Sequence, residues 1–404
     1  MRVRSVTIGT RLGHPFDLAV FQTFGSFQER ARALFAEAGL EVQTIRLATQ
    51  PFAEAVGARN RQAAVQYARD LEAACRDHGI DYCSIGTVVA SQRGAVLNPI
   101  DTIPEIIQET QSAFVSVLVA ESGLGINLAA IHRCAEVISQ VSTVEPGGFG
   151  NLRLAILANC GPGAPFFPAS YHDGGRTSFA VATESADLAV ESFAEAGTVA
   201  QARDNLRATI DDTCSRIERV SQVLANEYDM QYGGIDFSLA PYPETARSIG
   251  HAVECLGIDA FGANGTLFAT ALLTRAIRAT EHKLCGFSGV MYPVLEDQTL
   301  AARSAEALYG LDSLLLYSTV CGTGLDTVPL PGDVSVDELA AVLLDVATLS
   351  IAANKPLTAR LMPIPGKRSG EMTEFDFAYF ANGRILDVRG RGARGVFQDE
   401  YIDL

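Results

Sequence analysis

Four short segments carry residue types that could hold or transform a small molecule, and each places them where a strand or turn gives way to a helix. In Ile235-Asp236-Phe237-Ser238-Leu239-Ala240-Pro241 an aspartate stands on an apolar strand, where its charge needs a partner. A loop backbone and a substrate are both readings of that partner. The turn Phe261-Gly262-Ala263-Asn264-Gly265-Thr266 opens a helical stretch, and its glycines can bring backbone amides up to a carboxylate or phosphate. It lacks the lysine and the spacing of a P-loop. The run Cys285-Gly286-Phe287-Ser288-Gly289-Val290-Met291-Tyr292-Pro293 is a glycine-kinked strand leading into Glu296 and Asp297. Those carboxylates either partner a helix dipole or serve a site. In Ser318-Thr319-Val320-Cys321-Gly322-Thr323-Gly324-Leu325-Asp326 a thiol precedes a glycine-lined turn. Cys321 would be nucleophilic there with a base or helix N-terminus beside it, and is otherwise an inert buried thiol.

Histidines stand at 14, 78, 132, 172, 251 and 282, and those at 78, 132, 251 and 282 fall on helical stretches or their ends. His172, in an aromatic loop with Cys160, Tyr171 and Asp173, is the one placed for acid–base work or metal ligation. There is no H-E-x-x-H, no paired Cys and His and no G-x-S-x-G, so zinc and α/β-hydrolase chemistry have no support. A divalent hard cation, held by some of Asp236, Glu296, Asp297 and Asp326, is the metal the carboxylates admit.

These segments are expected at the carboxyl ends of strands in a mostly parallel sheet, because strand and helix alternate along the chain. Strands are read at 2–9, 41–48, 82–89, 113–119, 152–159, 234–239, 285–291 and 357–363. Helices are read at 25–39, 60–78, 101–111, 127–141, 198–231, 244–256, 266–281, near 297–320 and at 335–353. The stretch 143–151, with Pro146-Gly147-Gly148, divides two lobes at about 1–150 and 151–366, and an irregular tail follows from 367 to 404. Residues 159–177, rich in Gly, Pro, Phe and Tyr, read as a packed functional loop.

The chain has 404 residues, is 48% hydrophobic and 19% charged, and can bury a large core. A net charge of -16 with no basic face excludes nucleic acid as an expected partner. Eight cysteines without a C-x-x-C pair fit a reducing cytoplasm. No signal-peptide core and no uncharged 18-residue span is present, so neither export nor a membrane is expected.

The same segments, with Pro243, Gly125-Ile126-Asn127, the stretch from Phe166 to His172 and Pro363-Ile364-Pro365-Gly366-Lys367, resemble the uncharacterised family of domain of unknown function 711 over nearly the whole chain. The resemblance implies an α/β fold similar to the pyruvate formate-lyase barrel, ten strands in two parallel half-sheets, and a homodimer. It implies no established activity. By analogy with glycyl radical enzymes, Cys321 would stand on a loop inside that barrel. The Arg- and Gly-rich tail at 389–395 is no glycyl radical motif, and Asn264 replaces a His common in the family.

The expectation is therefore a small-molecule enzyme, a lyase, isomerase or hydrolase acting on a carboxylate-bearing metabolite, with amino-acid-related compounds among the candidates. Cys321, His172 and Asp236 are its catalytic candidates. Asn127, Ser238, Asn264, Gly265, Thr266, Ser288 and Gly289 are candidate substrate contacts. A non-catalytic metabolite-binding or regulatory protein and a specialised-metabolite enzyme are the alternatives.

Overall fold

The computed structural model describes residues 1–404. Its frame is an eleven-stranded sheet. The strands are β1 (Arg2–Thr10), β2 (Val42–Thr49), β3 (Tyr82–Val89), β4 (Ala113–Glu121), β5 (Gly125–Asn127), β6 (Leu154–Ala158), β7 (Ser178–Glu184), β8 (Gln231–Ala240), β9 (Gly324–Pro331), β10 (Leu357–Ile364) and β11 (Tyr401–Ile402). The main path runs β8-β7-β1-β2-β3-β4-β6-β10-β9, with β5 and β11 paired to each other beside β4.

Parallel pairing links β1, β2, β3, β4 and β6 into one set. β7 with β8, and β9 with β10, are also parallel pairs. The first set meets the others antiparallel, at β1 with β7 and at β6 with β10. Each end of the sheet therefore presents carboxyl ends of one set and amino ends of the other.

The terminal strands β8 and β9 do not face solvent as open edges. Between them runs the segment 283–294, which exchanges bonds with Ile235 on β8 and, further on, makes a parallel bridge from Pro293 to Asp326 on β9. Leu239 donates to the Gly289 carbonyl at 3.3 Å, and Gly322 donates to that of Val290 at 2.8 Å.

One face of the sheet carries the helices. A core of 93 buried residues, with Phe21, Phe27, Phe35, Ile45, Leu71 and Ile131 among them, joins strand side chains to helix faces in both halves of the chain. Helix starts follow their caps: Asn60 accepts from Ala63, Asn127 from Ala130, and Ser335 with Glu338 forms a reciprocal capping box.

The other face holds loops instead of helices. Phe166, Cys160, Phe287 and Met291 join Leu118, Leu157 and Ala240 in a separate apolar cluster. Ser5 and Thr7 donate to the Pro165 carbonyl, and Ser84 donates to that of Ser170 at 2.7 Å. The aromatic loop 159–177 is thus laid across the sheet, as its composition suggests.

Four sheet strands escape the periodicity reading: β7 and β9, because Ser178–Glu184 follows a long loop and Gly324–Pro331 begins in a glycine-rich turn, and β5 and β11, because two or three residues are too short to show a period. The segment 285–291, read as a strand, is irregular: Gly286 and Ser288 hold positive φ, and the isolated bridges fall on either side of it, at Leu284 and Pro293. The stretch near 297–320 is two helices, Gln298–Ala305 and Leu311–Ser318. The tail is partly ordered: Met372 bridges Arg384 within it, and Tyr401–Ile402 joins the sheet by pairing with β5.

Candidate functional site

At the end of the sheet where β1 to β4 begin, strand alternation turns large polar side chains onto the loop-covered face. Arg4 on β1, Thr44 and Arg46 on β2, and Tyr82 at the start of β3 line a cavity of about 100 Å³ with Arg360 of β10 and Glu296. Phe114, Phe166 and Phe167 form its apolar wall, and Phe377, Tyr379 and Phe380 roof it from the chain after β10.

The charges around it form a chain of ion pairs with one member left over. Arg4 lies 2.5 Å from Glu296 and 3.7 Å from Glu184, and Arg247 also pairs with Glu184. Arg360 lies 2.8 Å from Glu296 and 2.6 Å from Asp326. Arg46, only 9% exposed, pairs with no carboxylate and makes one hydrogen bond, from Nε to Thr44 Oγ1 at 2.9 Å. Its guanidinium carbon sits 5.2 Å from the Phe167 ring centre and 5.7 Å from that of Tyr82.

Arg360 is an internal control for Arg46. Burial pushes both guanidinium groups down, but Asp326 and Glu296 outweigh burial at Arg360 and leave it above the ordinary arginine value. At Arg46 no carboxylate is in direct contact; burial, with Arg4 adding to it, outweighs the more distant pull of Tyr82 and Glu296 and pushes it down to about 9. It remains a cation at neutral pH, buried and without a direct ion pair, which is costly. Glu296 shows the reverse balance: burial raises its carboxyl, and Arg360 and Arg4 hold it below the usual range.

Asp326 stands behind Arg360. One oxygen accepts from Arg360 Nε, and the other is buried without a partner. Burial pushes its carboxyl up, Glu296 adds to that, and Arg360 opposes it. The next residue, Thr327, holds φ at 41°, a left-handed conformation that a β-branched residue rarely takes.

The catalytic candidates from the sequence lie elsewhere. Asp236 is saturated: it accepts from Ser238 at 2.5 Å, Ser288 N at 2.9 Å and Phe287 N at 3.0 Å. It pins the turn at Gly286, whose φ is 59° and where a Cβ would fall 2.3 Å from Asp236 Oδ2. Ser288, from the same turn, bonds back to Ile235 and Cys285 carbonyls. Gly289 and Gly322 touch so closely that a Cβ on either would lie under 3 Å from the other's Cα. Cys321, 1% exposed, accepts from Gly324 N at 3.3 Å. The nearby Lys355 ammonium donates to the carbonyls of Ser318 and Cys321, closing the end of the helix Leu311–Ser318.

His172 sits at the opposite end of β1 and β2. Its backbone donates to Thr49, its Nδ1 accepts from Gly174 N at 3.0 Å, and its Nε2 donates to the Arg176 carbonyl at 3.2 Å. With both ring nitrogens engaged it anchors its own loop. From Arg4 to Gly9 the strand alone spans roughly 16 Å.

The other predicted contacts are also local. Asn127 caps a helix and donates to the Ala90 carbonyl. Asn264 is exposed in the turn before the helix Thr266–Arg278, beside Gly265, and Thr266 closes that turn through Gly262 and Ala263. The proposed cation ligands do not assemble: Asp236 holds the Gly286 turn, Asp297 caps two helices through Ser248, Ile249, Thr299 and Leu300, and Glu296 and Asp326 share Arg360. No group of three or more His, Cys, Asp or Glu side chains is placed to hold a metal.

Of the sequence candidates, Glu296 alone lines the cavity. Arg4, Arg46 and Arg360 were missed, although each is visible as an arginine inside an apolar strand: Val3-Arg4-Ser5-Val6, Ile45-Arg46-Leu47-Ala48 and Ala359-Arg360-Leu361-Met362. A buried arginine requires a partner, and that requirement was the available signal.

Comparison with known proteins gives relatives along the whole chain. A UPF0210 protein of Methanopyrus kandleri is 30% identical over 416 residues, covering 96% of this chain and 91% of the relative. Those of Desulforudis audaxviator and Pyrobaculum arsenaticum are 30% and 31% identical, covering 91% and 89% of this chain and 84% and 81% of the relatives. The family model described as Uncharacterised ACR (DUF711) matches residues 1–379, and the chain belongs to that family.

Proposed function

We propose that the protein is an enzyme that takes a carboxylate-bearing small molecule into the cavity beside Arg46. The observation that carries this reading is the counter-ion that Arg46 lacks. Arg4 and Arg360 are each engaged by two carboxylates among Glu184, Glu296 and Asp326, and Arg46 is the arginine of the cavity lining that makes no ion pair. A carboxylate matches the planar fork of a guanidinium through two parallel hydrogen bonds.

Turnover, beyond binding, rests on Asp326. It stands behind Arg360 and outside the cavity lining, but its unpartnered oxygen and raised pKa suit a group that gives and takes a proton, and the strained Thr327 beside it is of the kind that gathers at functional sites. Lyase and isomerase chemistry both need such a group, and hydrolase chemistry can use it to activate water.

The architecture belongs to the same proposal. With the segment 283–294 bonded to both terminal strands, the sheet reads as a closed ring of ten extended segments in two parallel sets, similar to the pyruvate formate-lyase barrel, with the cavity in one mouth. The homodimer implied by the family resemblance is checked by sedimentation velocity.

The test is to recover the ligand that copurifies with the protein, identify it by mass spectrometry, and assay its conversion by wild type, Arg46→Met and Asp326→Asn. Conversion by wild type, with Arg46→Met failing to bind and Asp326→Asn binding without conversion, is the expected result. A ligand that binds at Arg46 and is never converted would make the protein a sensor.

A further inference from the structure

Resting on the carboxylate reading, we propose that the ligand is a monocarboxylate bearing one small flat unsaturated group and no ammonium. Its carboxylate would lie on Arg46 and its flat group against Phe114, Phe166 and Phe167, under Phe377 and Phe380.

Charge fixes the number of carboxylates. Arg4 and Arg360 are already engaged by Glu296, Glu184 and Asp326, so a second carboxylate would meet no free cation and would approach Glu296. Arg46 uses only Nε, toward Thr44, which leaves both terminal nitrogens for one bidentate anion. The same ledger disfavours an α-ammonium group. The cavity's one carboxylate, Glu296, already accepts from two arginines, and an added cation would compete with Arg4 and Arg360 for it.

Volume fixes the body. The cavity measures about 100 Å³. An apolar hole of roughly 150 Å³ holds a benzene molecule in another protein, so the enclosed part here is smaller than one ring needs, and a one-ring body would extend toward the open side of the cavity. The wall chooses the shape. Phe114 and Phe167 meet at 60° with centroids 5.2 Å apart, and Tyr82 meets Phe114 at 76° and 5.5 Å. These rings are in mutual contact and present a mixed surface of faces and edges, which suits another π-system packed against it. The wall of Phe114, Leu152, Phe166, Phe167 and Phe380 carries no side-chain donor or acceptor, so a hydroxyl or amine on that side would lose its water without replacement.

The test is calorimetric titration of the full chain with benzoate, cyclohexanecarboxylate, acetate, succinate and phenylalanine, repeated on Arg46→Met and Arg46→Lys with thermal melts to confirm folding. We expect benzoate to bind at least tenfold more tightly than the other four. Arg46→Lys, which keeps the charge and loses the fork, should weaken benzoate at least tenfold, and Arg46→Met should abolish it. Equal or tighter binding of succinate, phenylalanine, acetate or cyclohexanecarboxylate, still dependent on Arg46, overturns this inference and leaves the carboxylate reading standing. No binding by any of the five, or binding unchanged in both variants, overturns both.

Discussion

At the scale of single residues, what decides a side chain's role here is whether its hydrogen bonds and charge are already met within the protein. Asp236, His172 and Asn127 are met in full and hold backbone in place. Arg46 is not. Arg46→Met should therefore raise the stability of the unliganded protein, by on the order of 1–2 kcal/mol, while removing anion binding. Chemical denaturation with and without ligand reads both effects. Asp236→Ala should do the opposite, costing about 2–3 kcal/mol by leaving the Phe287 and Ser288 amides unpaired, with ligand affinity kept. A loss of affinity equal to that of Arg46→Met would return Asp236 to the site. The chemistry-bearing types were legible in the sequence, but their engagement was not: Asp236 and Glu296 look alike as acids beside glycine-rich turns, and only the fold shows that amides saturate one and arginines the other.

At the scale of elements, the roof is the part of the site that the strands do not supply. Residues 373–382 form a closed loop in which Asn382 bonds Thr373 and Phe375, and Ala381 donates to the Leu295 carbonyl. Phe377 and Phe380 rest on Phe149 and on each other, with centroids 5.1 to 5.9 Å apart. Because that loop is held mostly by its own bonds and by aromatic contacts, Phe377→Ala should speed ligand release more than it alters association. Stopped-flow traces with equal release rates for the two proteins would show that the loop does not cover the ligand. Helix and strand periodicity revealed the first half of the sheet well, since β1, β2, β3 and β4 alternate cleanly with helices. It missed β7 and β9, whose buried runs sit directly after glycine-rich turns that read as loop, and it left the roof inside a tail without period.

At the scale of the molecule, sets of parallel strands that meet antiparallel bring acids and arginines from distant parts of the chain to one buried network, from Arg4 to Arg360. The network should be acid-sensitive. Glu296 titrates below its ordinary value of about 4.3, so its pairing contributes fully above that pH and is lost as pH falls through the lower folded value. The stability difference between wild type and Glu296→Gln, measured by denaturation from pH 7 to pH 3, should hold constant and then shrink below about pH 4. A constant difference across the range would place Glu296 outside the pairing. The central claim, that the arginine cavity and not the His172 or Cys321 neighbourhood receives the ligand, is tested most directly by one comparison. It is the calorimetric affinity of the copurifying carboxylate for wild type, Arg46→Met, His172→Ala and Cys321→Ala. Binding lost in Arg46→Met and kept in folded His172→Ala and Cys321→Ala is the predicted result. Binding kept in Arg46→Met and lost in either of the others would contradict it.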